Sequence, residues 1–117
     1  MTPSPEGDPL HLDRIVELVE LIRHVVLGTE RDAFVADRDK GDAVALRLAA
    51  IGEASRKLSE AVRARHPEIE WSKMYALRNI VAHHYFNLDY GLLWKIATER
   101  LEELGAACTA ELKIIDG

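Results

Sequence analysis

The sequence predicts an all-α protein, an up-and-down four-helix bundle with one short extra helix, on three observations. Apolar residues recur at three- and four-residue spacing along most of the chain, the period of a helix buried along one stripe. No stretch alternates polar and apolar as a half-buried strand must. The segments between the periodic runs are short and carry Gly, Pro or Asp, as connections between neighbouring antiparallel helices do. A chain of 117 residues makes one domain with a substantial core and not two. The expected division is a loose lead over residues 1–8, a helical domain over 9–112 and a short tail over 113–117.

The first helix is expected to start at Asp8-Pro9, with Asp as N-cap and Pro at the first helical position. Its stripe is Leu12, Ile15, Val16, Val19, Ile22 and Val26, widened by Leu18, Leu21 and Val25. So broad a face needs two neighbours, or another subunit, to cover it. Gly28 should end it. Thr29 to Asp32 resembles a capping box with Asp for the usual Glu, and suggests a short helix carrying Phe34 and Val35. Asp37 to Asp42 reads as a charged turn. A second long helix follows through Val44, Leu48, Ile51, Leu58 and Val62, with Gly52 in its middle. Mid-helix Gly costs about 1 kcal/mol relative to Ala, so close helix packing is the expected reason for it, with a functional reason as the alternative. Glu53 beside it is expected to be a solvated charge. His66-Pro67 ends this helix. A third helix starts near Trp71 or Ser72 and carries Met74, Leu77, Ile80 and Val81. Asn87 or Asp89 caps a fourth, on which Leu93, Ala97, Leu101, Leu104 and Cys108 line up.

The bulk numbers exclude several classes. Apolar residues at 48% and charged residues at 30% describe a folded domain. The single cysteine, Cys108, allows no internal disulfide and no multi-Cys zinc site, which fits a reducing cytosol. The opening residues are polar and do not read as a signal peptide, and no apolar run approaches a membrane span. The expected location is the cytoplasm. A net charge of −5 argues against a nucleic-acid coat protein. That charge is uneven, however: residues 43–78 hold seven bases and four acids, while the segments on either side are net acidic.

The basic segment leads into Arg78-Asn79-Ile80-Val81-Ala82-His83-His84-Tyr85, where a cation, two imidazoles and a phenol fall within eight residues. Arg78 and His83 are five apart, about 140° around an ideal helix, so they converge only if the long Arg stem or the helix end brings them together. An imidazole can act as base or acid near neutral pH. A guanidinium can grip two phosphoryl oxygens. Together they suffice to cut RNA without a metal, the ribose 2′-OH attacking its own phosphate. One His83 cannot be acid and base at once; two, brought together across a two-fold axis, can. The plain alternative is a helix C-terminus with a surface Arg and an aromatic tucked into the core. Metal binding is disfavoured because the adjacent His83 and His84 cannot easily face one ion, and His11, His24 and His66 show no ligand spacing to them. No glycine loop for phosphates is present.

Arg78-Asn79 followed by His83-His84-Tyr85 resembles the Arg-x4-His-x-Tyr motif of the HepT-like toxins in the HEPN superfamily. Ile51-Gly52-Glu53-Ala54, His66 to Trp71 with Met74, and Asp89 with Trp94-Lys95-Ile96 resemble further blocks of that family in the same order, so the resemblance spans about residues 10–107. It implies a dimeric helical bundle and a metal-independent endoribonuclease. It also implies a toxin–antitoxin pair whose partner is a minimal nucleotidyltransferase antitoxin that transfers AMP from ATP to the motif tyrosine. Arg78 and His83 would then be catalytic, Asn79 supporting and Tyr85 the modified residue. His84 is expected to face solvent, with a proton-carrying role as the alternative. RNA is the implied substrate, and the chain itself needs no cofactor, ATP being used by the partner. The rival reading is a non-catalytic helical adaptor of a nucleotidyltransferase; a structural bundle that binds nucleotide in a dimer cleft is a third.

Overall fold

Seven α-helices organise residues 3–117, the part of the chain that the computed structural model describes; the first two residues of the expected lead lie outside the described residues. They are α1 (Asp8–Leu27), α2 (Arg31–Ala36), α3 (Arg38–Arg56), α4 (Glu60–Arg65), α5 (Trp71–His83), α6 (Tyr90–Glu99) and α7 (Leu101–Asp116). No strand occurs among the described residues, so the chain is all-α as the periodicity requires. Four rods (α1, α3, α5, and α6 with α7 in line after it) form the bundle. Helix α1 packs against both α3 and α7, and α3 packs against both α1 and α5. No helix among the described residues is long and apolar enough to cross a membrane.

The core is the set of faces the periodicity selects. Leu12, Ile15, Val19 and Ile22 of α1 meet Val44, Leu48 and Ile51 of α3, Met74 and Leu77 of α5, and Leu93, Ile96, Leu101, Leu104 and Cys108 of the last rod. Phe34 of the short α2 is fully buried and sits 5.3 Å from the Trp94 ring in a tilted pair. Burial pushes the Cys108 thiol up to about 12, with the nearby Glu111 charge adding to it, so this thiol is a packing group and not a nucleophile.

Several expected boundaries move, each for a local reason. Asp8 does not cap α1. It lies inside the first turn after Gly7 and is buried; its carboxylate accepts from the Ser59 backbone N–H (2.8 Å) at one oxygen and from the Ser59 hydroxyl (2.6 Å) at the other. That same hydroxyl accepts from Val62 N–H and caps α4. The second long helix therefore breaks between Arg56 and Glu60 instead of running through Val62. The apolar stripe had hidden the break, because Leu58 and Val62 stay in helical phase across it. The presumed charged turn is the start of α3: Asp37 caps it by accepting from Lys40 N–H at 3.2 Å. Glu30 and not Thr29 stands at the head of α2, and the Thr29 hydroxyl instead accepts from the Lys40 ammonium at 3.0 Å. The last helix is interrupted at Arg100. Two residues earlier the Thr98 hydroxyl donates back to the Trp94 carbonyl at 2.8 Å, a bond that competes with the helical ladder and bends helices.

Two glycines mark where helices touch. At Gly41 a Cβ would overlap the ring of Tyr90, whose hydroxyl donates to Asp42 at 2.6 Å. This pins the start of α6 to the start of α3. At Gly52 a Cβ would lie 2.9 Å from the Met74 carbonyl oxygen and 3.0 Å from the Arg78 nitrogen. Close helix packing is thus the reason for the mid-helix Gly. Between α4 and α5 the chain is tied down by the Trp71 indole, which donates to the His66 carbonyl at 3.0 Å. Glu111 of α7, only 3% exposed, receives Arg65 through two nitrogens and His66 Nε2 at 2.8 Å.

Two stability measurements follow. Gly52→Val forces α5 off α3 and should lower unfolding free energy by roughly 2–3 kcal/mol in urea titration; a loss of less than about 0.5 kcal/mol would show that the helices part freely. The hydrogen bond from Arg65, and next that from His66, hold the Glu111 carboxyl below its ordinary value of 4.5. A depressed carboxylate contributes stability that is complete above the unfolded-state value and drains away as pH falls through the folded-state value. Glu111→Gln should accordingly melt lower than wild type at pH 7, by about 1–2 kcal/mol of stability, and the gap should shrink as pH falls below the ordinary value of 4.5 and close below the folded-state value. A gap independent of pH would mean the carboxylate charge is not what stabilises this contact.

Candidate active site

The site is built on the contact at Gly52. With no side chain there, the backbone of α5 comes down onto α3 beside Arg78. The next residue of α3, Glu53, then receives the Arg78 side chain, with Nε 3.2 Å from the carboxylate Oε2. Both side chains are about half exposed, at 55% and 46%, so the pair lies at the surface and adds little to stability, typically about 0.2–1 kcal/mol. It places a carboxylate beside the guanidinium. Glu53 is about half exposed, in keeping with a solvated charge, and is paired with Arg78; the sequence signal for that pairing was its place directly after Gly52, inside one of the resembling blocks.

Asn79 is exposed and its side chain makes no hydrogen bond among the described residues. His83 is the last residue of α5 and also exposed. His84 ends the helix, its N–H donating to the Ile80 carbonyl at 3.2 Å, and its carbonyl accepts from Asn87 N–H at 2.8 Å to close the turn. The imidazole of His84 is exposed, as expected. In that turn Tyr85 and Phe86 stand 69% and 95% exposed, their rings edge to face with centroids 5.0 Å apart. Asp89 then caps α6 by accepting from Leu92 N–H at 3.0 Å.

Two consequences matter chemically. The aromatic after the histidines is not an anchor in the core, so that part of the plain alternative fails, while its surface Arg and its helix end are present. Within one chain, no hydrogen bond joins Arg78 to His83 among the described residues, in keeping with their separation around the helix. They share one helix and one end of the bundle, with Tyr85 just beyond, and the surface they form is open. An exposed guanidinium held by one carboxylate keeps donor capacity for an incoming anion. An exposed imidazole at a helix end can reach a ligand lying across that end. Among the described residues no three His, Cys, Asp or Glu side chains group as metal ligands.

Residues 15–110 match the family model "Ribonuclease HepT-like". A protein of Methanocaldococcus jannaschii named as a candidate RNase is 45% identical over 62 residues, 53% of this chain and 57% of that one. The probable ribonuclease HepT of Thermococcus cleftensis is 34% identical over 80% of this chain and 86% of its own length. A candidate RNase of Caldanaerobacter subterraneus subsp. tengcongensis is 28% identical over 88% of each chain. No solved structure matches. The matched span takes in all four rods, with Gly52, Glu53, Arg78, His83 and Tyr85 inside it. The chain belongs to the HepT-like ribonuclease family.

Proposed function

We infer that this protein is a metal-independent endoribonuclease that acts as a homodimer, the toxin of a toxin–antitoxin pair. The observation that carries the reading is the arrangement at the end of α5. A guanidinium is paired with Glu53 at 3.2 Å on an open surface, and an exposed His83 lies farther along the same helix. Membership of a ribonuclease family supports RNA as the substrate.

In this reading Arg78 holds the scissile phosphate and stabilises the negative charge that spreads over its oxygens in the transition state. The ribose 2′-oxygen attacks the phosphorus as a base takes its proton. The P–O bond to the next nucleotide's 5′-oxygen breaks as an acid supplies a proton there. The products are a 2′,3′-cyclic phosphate and a 5′-hydroxyl. His83 supplies one of the two proton transfers, and His83 of the second copy supplies the other. Asn79 supports the site and His84 borders it. Leu27 at the end of α1 and Leu46 of α3, 76% and 72% exposed, support contact with a second copy.

Tyr85 is the expected target of the nucleotidyltransferase partner, and its exposure supports access by another protein's active site. Its oxygen attacks the α-phosphorus of ATP, pyrophosphate leaves, and the phenolic proton passes to a base. The resulting AMP diester puts bulk and a negative charge two residues from His83, where the substrate phosphate has to sit.

The test is cleavage of RNA by purified protein in EDTA beside Arg78→Ala and His83→Ala, with mass spectrometry showing Tyr85 unmodified. Each substitution should lower the rate by about 100-fold or more. Both positions are exposed, so stability should change by no more than about 0.5–1 kcal/mol. Equal cutting by all three proteins overturns the assignment of the site. An unmodified wild type that cuts nothing favours the adaptor reading.

A further inference from the structure

We propose that the groove between α1 and α3, which Glu53 also lines, is an RNA subsite: Arg14 and Lys57 hold a phosphodiester flanking the scissile one. The inference rests on the ribonuclease reading and extends it to how the substrate is gripped. The groove encloses about 390 Å³, within the range of about 300–1,000 Å³ typical of small-ligand sites and so of a size for one nucleotide. Its charged members come from both helices. Arg14 stands on α1, one turn after His11, and Lys57 stands just past the end of α3.

Three independent features point to an anion. First, neither Arg14 nor Lys57 makes a salt bridge among the described residues, unlike Arg65 and Arg78. Of the two carboxylates in the groove, Glu53 is already engaged by Arg78, which leaves Glu17 to face both cations. Second, His11 lines the groove together with Arg14 and Lys57, and both cations act on it. Burial, then the charges of Lys57 and of Arg14, hold this imidazole below its ordinary value, with Asp8 alone acting the other way. The groove these residues line thus carries a positive field from two cations, which an anion between them would offset. Third, Glu53 is at once a wall of this groove and the partner of Arg78, so a strand whose phosphate sits on Arg78 has its neighbouring phosphate beside the groove. The floor is apolar, from Leu18, Leu21 and Ala50, a surface on which the attached base can lie flat.

The subsite also accounts for how a chain of net charge −5 can hold RNA. Affinity for a polyanion comes from the few phosphates that are neutralised and not from total charge. Arg78, with Lys57 and Arg14 of the groove that Glu53 shares, supplies such contacts.

The test is salt-dependent binding of a non-cleavable 2′-O-methyl oligoribonucleotide, followed by fluorescence anisotropy. Wild type is compared with the double variant Arg14→Gln/Lys57→Gln and with a control, Arg23→Gln/Lys113→Gln, in the groove between α1 and α7. Losing two phosphate contacts should flatten the slope of log K against log salt by about 1.4, at about 0.7 per single-strand contact. Affinity near 0.1 M salt should fall roughly tenfold or more, and the control should bind as wild type does. Cleavage of ordinary RNA by the wild type is measured in parallel. A wild type that cleaves while the double variant keeps the full slope overturns the subsite and leaves the nuclease standing. A wild type that neither binds nor cleaves overturns both. A double variant that changes oligomeric state by light scattering assigns the groove to the interface between copies, which also overturns the subsite.

Discussion

The close approach of two backbones at Gly52 is the constraint from which the rest of the molecule follows. Helix α3 lies between α1 and α5 and can touch α5 main chain to main chain only because Gly52 has no side chain, with the Arg78 nitrogen 3.0 Å from where a Cβ would be. Interiors are packed too densely to absorb an added methyl at such a place without moving a helix. The contact fixes the register of α5 on α3, and the register decides what stands opposite Arg78. Glu53 is there because it is the next residue. A helix rotated or slid by one residue would present a different side chain, and the guanidinium would be free to sample solvent.

Around that contact, polar groups lock the ends of rods that the apolar core alone would leave loose. Asp8, buried at the start of α1, is satisfied by Ser59, which in turn caps α4. Glu111, buried on α7, is satisfied by Arg65 and His66 at the far end of α4. One short helix thereby ties the first and last rods together through two buried carboxylates. Leaving either unpaired would cost more than the bonds contribute. The effect is to hold the connection leading into α5, and so to set where α5 begins and where its His83 end comes to lie. The carboxylates used in this scaffold are buried and paired, whereas Glu53, which faces Arg78, is half exposed.

Much of this was legible in the sequence, and what was not has identifiable causes. The 3.6-residue period located α1, α3, α5 and the last rod, and the packing role of Gly52 followed from the cost of a glycine in mid-helix. The helix breaks were illegible because Leu58 and Val62 keep phase across one of them and Thr98 carries no strong breaker signal at the other. The bond from Asp8 to Ser59 spans 51 positions, and no local rule anticipates it. Arg78 and His83 stood out by residue type and by resemblance. Glu53 did not, because pairing it with Arg78 requires the α3–α5 register. The groove lined by His11, Arg14 and Lys57 likewise needs two helices side by side. Sequence reasoning found the candidate groups that lie along one helix and missed the contacts assembled between two.

The most direct measurement concerns the role of the substrate's own 2′-hydroxyl. A defined oligoribonucleotide is incubated in EDTA with purified, unmodified protein, and its cut site and end groups are mapped by mass spectrometry. The same oligonucleotide is then offered with a single 2′-deoxy sugar at that site. The account predicts 2′,3′-cyclic phosphate and 5′-hydroxyl ends from the first and no cut at that position in the second. Cutting that persists at the deoxy position, or that leaves 5′-phosphate ends, would contradict it.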